Sequence, residues 1–378
     1  MKKILLITNI PNPYRVPLFN VLKEQMMNEQ FHLKVVFASA GYNRRYFKLS
    51  SNDFNFDHVI LNGASISSSK DSEKTYFLYK GLWKLLRSER PNKIIVSGFS
   101  SATMMVFLWR ILTGTKYIIW SGSIEKENRN STILRTLQRK FLCSLASAFV
   151  VYGSKAKEYL QKYGAKENKI AVAINTVDTD FFHTETARLR NENKKIDSPI
   201  TFTYLGYLVP RKNVMLLLET IKIVSKSRTN FQLDIIGEGS SKADLEKYVQ
   251  ENELSSIIKF HGFKQKEELP AFFAKSNALL FQTDFDIWGL VLNEAMAAGI
   301  PCLSSINAGA TFDLIQNGVN GYAVDFNDKN AIATKIISII DSPELAMKMG
   351  EQAAAFIRTN ATLTISSKGF INALRLAE

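Results

Sequence analysis

Along the chain, short runs of apolar and β-branched residues alternate with longer stretches whose apolar positions recur every three or four residues. This pattern predicts βαβ units stacked into parallel sheets with helices on both faces. In the first half it predicts strands at Lys3–Thr8, Leu33–Ala38, Lys93–Val96, Tyr117–Trp120, Ala148–Tyr152 and Ile170–Ala173. In the second half the strands fall at Thr201–Leu205, Gln232–Ile236, Ile258–Phe260, Ala278–Gln282, Pro301–Ser304 and Gly321–Val324. Helices lie between them. The helix around Ser131–Ala146 gathers Ile133, Leu134, Leu137, Phe141 and Leu145 on one face, expected to pack inward, with Arg135, Arg139 and Lys140 elsewhere. Each half therefore reads as a doubly wound α/β domain. The charged segment 187–198, ARLRNENKKIDS, lacks apolar periodicity and is expected to link a domain at 1–186 to one at 199–342. Helices at 343–378 could cross back onto the first domain. Ligands of open α/β sheets bind beyond the carboxyl ends of the strands, so the site is expected in a cleft between two facing domains.

A length of 378 residues suits two domains of roughly 150 or more, and 46% hydrophobic with 22% charged residues is an ordinary globular balance. The two cysteines, Cys143 and Cys302, lie far apart in apolar surroundings and read as buried thiols in a reducing compartment. His32, His58, His183 and His261 are isolated in sequence and suggest no metal cluster. The apolar run after the two N-terminal lysines is too short for a signal peptide and fits a first strand. The uncharged run Ile94–Trp109 falls below the roughly 20 residues that span a bilayer. A cytoplasmic protein is expected.

Charge sharpens the picture once it is divided. Residues 1–200 hold 31 Lys and Arg against 16 Asp and Glu, whereas 201–378 hold 17 against 19, so the net charge of +13 comes from the first half. Such asymmetry points to an anionic partner, nucleic acid or an acidic membrane. The basic charges are spread over helices and loops and match no nucleic-acid module, which favours a membrane surface. The tract Asn43–Ser50, NRRYFKLS, mixes cations with aromatic residues and could dock there or serve as an acceptor loop.

Three segments carry chemistry. In DFDIWGLVLNEAMAAGIPCLSSI, Asp284–Ile306, a loop turns at Gly289 into a helix from about Leu290 to Ala298, whose free N–H groups would attract a diphosphate. Asp286 and Glu294 flank that turn; ionised carboxylates accept hydrogen bonds and suit sugar hydroxyls, although a capping Asp with a solvated Glu would read the same way. In GYLVPRKN, Gly206–Asn213, Arg211 and Lys212 follow a strand and could neutralise a leaving diphosphate, or form a solvated basic loop. IIGEGSS, Ile235–Ser241, is a Gly-rich turn that lacks the third glycine of a dinucleotide fingerprint.

The order of these segments, with IIKFHGF and NAGATFDLIQNGVNGYAV, resembles the C-terminal domain of retaining glycosyltransferases of family 4, strongly from about residue 199 to 340. The resemblance continues more weakly through VVYGSKAKEYLQKYGAKENKIAVAINTVDTDFF, and the first 130 residues match in pattern only. It implies the GT-B fold, two facing Rossmann-like domains with a cleft between them. It further implies a nucleotide diphosphate sugar as donor, no cofactor and no required metal. By the same resemblance Lys212 binds the donor diphosphate with Arg211 beside it, Asp286 holds the transferred sugar and Glu294 the ribose. Trp288, Gly289 and Leu290 would supply backbone N–H groups, Phe263 would lie near the base, and Gly237, Gly206 and Tyr207 would line the nucleotide. Asn9, Tyr14, Arg15, Ser121 and Gly122 are the acceptor-side candidates.

The chain departs from the family pattern at several of these positions. Asp286 replaces the usual Glu, Tyr207 replaces a frequent Arg, WSGS at Trp120–Ser123 stands where a His is common, and the first loop lacks a Gly pair. The implied reaction is sugar transfer with retention to an acceptor hydroxyl. A lipid-linked oligosaccharide in bacterial surface polysaccharide synthesis, at the inner face of the membrane, is the expected acceptor. Three other readings compete: an Asp284-x-Asp286 metal site, a nucleotide-sugar epimerase of the same fold, and a basic nucleic-acid or membrane-binding protein without transfer activity.

Overall fold

A computed structural model describes residues 1–41, 53–67, 75–125, 132–192 and 199–378, and of residues 65–67 the backbone alone. The tract Asn43–Ser50 and the second half of the expected linker lie outside the described residues. The chain divides into two compact units, 1–177 with 363–378, and 178–362.

The first unit is a parallel sheet in the order β3-β2-β1-β6-β7-β8-β9, with a small antiparallel pair β4-β5. Its strands are β1 (Lys2–Thr8), β2 (Phe31–Phe37), β3 (Asp57–Ile60), β4 (Ser65–Ser67), β5 (Thr75–Phe77), β6 (Lys93–Ser97), β7 (Lys116–Ser121), β8 (Ala148–Val151) and β9 (Ile170–Val172). Helices α1 (Val16–Asn28), α2 (Leu82–Glu89), α3 (Ser101–Thr113), α4 (Ile133–Ser144) and α5 (Ser154–Lys162) connect them. Both faces of the sheet are covered, so the middle of β1, Ile4–Ile7, is apolar on both sides. Ile4 and Leu6 enter the core beneath α1, Leu5 and Ile7 the core on the opposite face, and none of the four reaches solvent. The edge strand β3 and the β4-β5 pair were not foreseen. In β3 only Val59 is even partly buried, so no apolar run marks it.

The second unit begins with α6 (Thr179–Glu192) and holds a sheet in the order β12-β11-β10-β13-β14-β15. Its strands are β10 (Ile200–Leu205), β11 (Phe231–Ile236), β12 (Ile258–Gly262), β13 (Ala278–Phe281), β14 (Cys302–Ser305) and β15 (Gly321–Val324). The helices are α7 (Val214–Ser225), α8 (Lys242–Glu251), α9 (Leu269–Phe273), α10 (Leu290–Ala297), α11 (Thr311–Leu314), α12 (Lys329–Asp341) and α13 (Pro343–Asn360). Every pairing is parallel, and the order reverses direction between β10 and β13. The crevice of a doubly wound sheet opens at such a switch point.

Two expectations about helices need correction. The segment read as linker is helical from Ala187 to Glu192, the end of α6. Arg188 pairs there with Glu185 at 3.0 Å and Glu192 at 2.7 Å, so side-chain ion pairs stabilise a turn that lacks an apolar stripe. In α4 the expected inward face is turned to solvent: Ile133 is 82% and Leu134 77% exposed. Leu142, Cys143 and Arg139 are buried instead, and Arg139 stacks against Phe99, Tyr159 and Tyr163.

The last helix, α14 (Leu363–Leu376), belongs to the first unit. Buried Lys93 donates to the Leu374 carbonyl at 2.6 Å, Arg375 pairs with Glu29 at 2.7 Å, and Phe370 packs edge-on against Trp120. Close approach at Gly369 seats the helix, since a Cβ there would fall 2.4 Å from the Val172 carbonyl oxygen and 2.6 Å from Ala173. Gly369→Ala should therefore destabilise the first unit by about 1–3 kcal/mol, measured by chemical denaturation, because backbone rather than a mobile side chain blocks the methyl group.

Candidate active site

The parallel strands of the second unit deliver their following loops to one edge of the sheet. Gly206 and Tyr207 follow β10, Gly237 follows β11, Phe263 follows β12, and the 282–289 loop follows β13. The loops after β10 and β13 meet at the switch point. Beyond Gly206 and Tyr207 the chain makes a short 3-10 turn, Pro210–Lys212, and Asn213 adopts a left-handed conformation before α7. That turn buries Lys212, 4% exposed, and aims it at the β13 loop.

Lys212 Nζ donates to Asp286 Oδ2 at 2.5 Å and lies 4.9 Å from the Phe281 ring centre. Arg211 Nη1 donates to the Phe285 carbonyl at 2.5 Å and stands 4.0 Å from the same carboxylate oxygen. Asp286 Oδ1 accepts from the Trp288 N–H at 3.1 Å, which folds the loop toward α10. Burial pushes the Asp286 carboxyl up, but Lys212, Arg211 and the Trp288 N–H together hold it below the ordinary carboxylate range. Asp286 is thus an anion with two cations beside it.

The loop is also clamped from β14. The Asp286 N–H donates to the Asn307 carbonyl, the Gly309 N–H to the Asp286 carbonyl and the Ala310 N–H to the Trp288 carbonyl. Gly289 then takes a left-handed φ of 97°, and a Cβ there would strike the Phe281 ring at 2.7 Å. Among the described residues no side chain caps α10, and its first turn holds no acid. Its leading N–H groups therefore form the positive end of a helix dipole next to Lys212 and Arg211.

Glu294 lies one turn into α10. Burial pushes its carboxyl up to about 7, and Lys266 is the cation that opposes the shift. Lys266 itself is 3.4 Å from Asp178 and 4.3 Å from the Phe181 ring centre. The sequence reading missed Lys266, because the run KQKEE around it looks like a solvated surface.

The Trp288 N–H is engaged by Asp286, and the indole is buried and donates to Asn293 Oδ1 at 3.0 Å, so Trp288 shapes the loop. Gly237, with φ 150°, is required by packing within the unit, since its Cβ would lie 1.9 Å from the Gly206 carbonyl oxygen. Tyr207 and Phe263 are 39% and 42% exposed and remain open to a ligand.

In the first unit, the loops after β1, β7 and β8 gather the acceptor-side candidates. Asn9 Oδ1 accepts from the Ile10 N–H at 3.0 Å, which shapes the loop leading to α1. Arg15, only 7% exposed, donates to the Tyr152 hydroxyl at 2.5 Å and lies 4.3 Å from Trp120, 4.9 Å from Tyr152 and 5.3 Å from Tyr14. No carboxylate among the described residues pairs with it. The Ser121 carbonyl accepts from the Tyr152 N–H, and a Cβ at Gly122 would collide with the Tyr152 ring. Tyr152, outside the predicted set, is what joins Arg15, Ser121 and Gly122.

Two parallel-sheet α/β units, each with its sheet order reversing beside the first strand, define the GT-B class of fold. Residues 25–181 match the family described as Glycosyltransferase Family 4, and residues 185–356 match Glycosyl transferases group 1. The chain belongs to this glycosyltransferase family. It is 27% identical over 195 residues to the putative colanic acid biosynthesis glycosyltransferase WcaL of Escherichia coli, covering 50% of this chain and 46% of that protein. It is 23% identical over 322 residues to an uncharacterized glycosyltransferase of Haemophilus influenzae, covering 84% and 85%. Apart from such longer matches, the chain spans about half the length of the curated relatives it matches. The crystal structure of Anabaena HepE in complex with UDP superposes with a TM-score of 0.77 at 14% identity, over 99% of this chain and all of that one. Sucrose-phosphate synthase from Thermosynechococcus elongatus gives 0.77 at 17%, over 99% and 98%.

Glu294 titrates at about 7 in the folded chain and near 4.5 when unfolded, so the folded state binds the extra proton between these values. Stability should fall as pH rises through that window and level off above it. Glu294→Gln should remove the slope and gain about 1–3 kcal/mol at pH 8 with no gain at pH 4, measured by urea denaturation across pH.

Proposed function

We propose that this chain is a retaining, metal-independent glycosyltransferase that moves a sugar from a nucleotide diphosphate sugar to a hydroxyl of a lipid-linked oligosaccharide. The reading places it in the synthesis of a bacterial surface polysaccharide, in the cytoplasm at the inner face of the membrane. The observation that carries it is the convergence of Lys212, Arg211 and the uncapped start of α10 beside Asp286, with Glu294 one turn further on. Relatives named for colanic acid, amylovoran and capsular polysaccharide biosynthesis support the product class, and UDP bound in the HepE structure supports the donor class.

The residues divide the work by charge. Lys212, Arg211 and the helix N-terminus offer donors and positive potential where a diphosphate would sit, and their effect grows as the bond to the sugar breaks and charge builds on the leaving group. The Asp286 oxygens keep further lone pairs beyond those given to Lys212 and the Trp288 N–H, so they can accept sugar hydroxyls. Glu294, partly buried, accepts the ribose hydroxyls in its ionised form. Because Asp286 is held by Lys212, it serves poorly as a nucleophile. The step assigned is front-face transfer: the acceptor oxygen bonds to the anomeric carbon on the face the diphosphate leaves, and the departing diphosphate takes the acceptor proton. Buried, unpaired by any carboxylate among the described residues and ringed by aromatic groups, Arg15 is assigned to the acceptor, where it would hold an anionic group of the lipid carrier.

Calorimetric titration with UDP, GDP and their sugars should show one nucleotide diphosphate binding equally with magnesium and with excess chelator. Lys212→Ala and Glu294→Ala should each weaken it at least about tenfold, and affinity should rise between pH 6 and 8 in the wild type but not in Glu294→Gln. No nucleotide binding, or binding indifferent to both alanine variants, would sink the assignment. Intact mass spectrometry during turnover should show no glycosyl adduct; an adduct on Asp286 would replace the front-face step with a covalent one.

A further inference from the structure

The outward turn of α4 leaves a large apolar face uncovered. Ile133, Leu134, Leu137 and Phe141 are each more than half exposed, and on α3 Ile111 and Leu112 are 57% and 70% exposed. The two helices are one surface: the Phe107 and Phe141 rings meet at 4.5 Å, and Ile111 lies one turn beyond Phe107. A folded chain normally scatters such residues singly, and a contiguous apolar patch marks a binding surface. The orientation is built in, because Arg139 on the opposite side of α4 is buried against three aromatic rings and holds the helix this way round.

Charge identifies what covers the patch. Neither α3 nor α4 contains an Asp or Glu, while Arg135 and Lys140 are exposed on α4 and Arg110 lies in the last turn of α3. The half of the chain that holds both helices carries the whole net positive charge. A second copy seated here would bring like charges together. An interface of acyl chains beneath anionic headgroups satisfies both features, with apolar side chains entering the acyl boundary and Arg and Lys at headgroup level.

We propose that the α3–α4 face of the first unit is the surface by which this chain docks on an anionic lipid bilayer. The proposal rests on the reading of a lipid-linked acceptor and assigns the residues that would bring the enzyme to it. The attachment is interfacial, since among the described residues no helix is long and apolar enough to cross a membrane.

Co-sedimentation of the full chain with phosphatidylglycerol-containing vesicles and with pure phosphatidylcholine vesicles tests it. The wild type should bind the anionic vesicles, and binding should weaken as salt is raised. Leu134→Ser with Leu137→Ser should reduce it at least about tenfold. Arg135→Gln with Lys140→Gln should abolish the preference for anionic lipid. Both variants alter exposed side chains and should keep wild-type nucleotide affinity. Three results would each overturn the proposal: no binding to anionic vesicles, binding unchanged in the leucine variant, or a dimer in light scattering that the leucine variant dissolves while vesicles stay unbound. Nucleotide binding measured on the same preparations separates this from the transferase reading, because its loss with vesicle binding intact would overturn that reading alone.

Discussion

The contact on which the candidate site depends is the 2.5 Å ion pair between Lys212 and Asp286, residues 74 positions apart. It exists because β10 and β13 are neighbours in the sheet although two βα units separate them in the chain. A buried ammonium needs a compensating carboxylate, and leaving either partner alone would be costly. The pair therefore fixes the loop after β10 against the loop after β13. From Asp286 the order propagates through the Trp288 N–H and the left-handed Gly289 to the start of α10, so one electrostatic contact sets the direction of the helix dipole.

Two carboxylates eight residues apart meet opposite environments. Asp286 has two cations and a backbone N–H and is pushed toward ionisation; Glu294 has burial, opposed by one lysine, and is pushed toward protonation. Such divergence gives two acids of similar chemistry different jobs. Asp286 is a fixed anion beside two cations and the start of α10. Glu294 can change state near neutral pH, and a nucleotide that needs its ionised form is coupled to that proton.

The first unit solves a different problem with the same reversal of sheet order. Its loops carry no paired acid at Arg15 among the described residues but surround that guanidinium with Trp120, Tyr152 and Tyr14. Aromatic faces can hold a buried cation without neutralising it, which leaves the charge available to an anion. On the helical side the same unit exposes leucine and isoleucine beside arginine and lysine.

The strand pattern, the two-unit plan and the residues that gather around Asp286 were legible in the sequence. Parallel strands buried on both faces write themselves as continuous apolar runs, and Gly289, Lys212, Asp286 and Glu294 stand at fixed positions relative to those runs. The edge strand β3 was invisible because its residues are largely exposed. The charged end of α6 was invisible because ion pairs rather than apolar spacing stabilise it. Tertiary structure alone decided three matters. Lys212 meets Asp286 because strand order is a property of the sheet, Tyr152 joins Arg15 to Gly122 across three loops, and the apolar stripe of α4 faces outward. The last was read the wrong way round because periodicity shows that a helix has an apolar face but not what that face meets; the stacking of Arg139 on its rings settled which side went in.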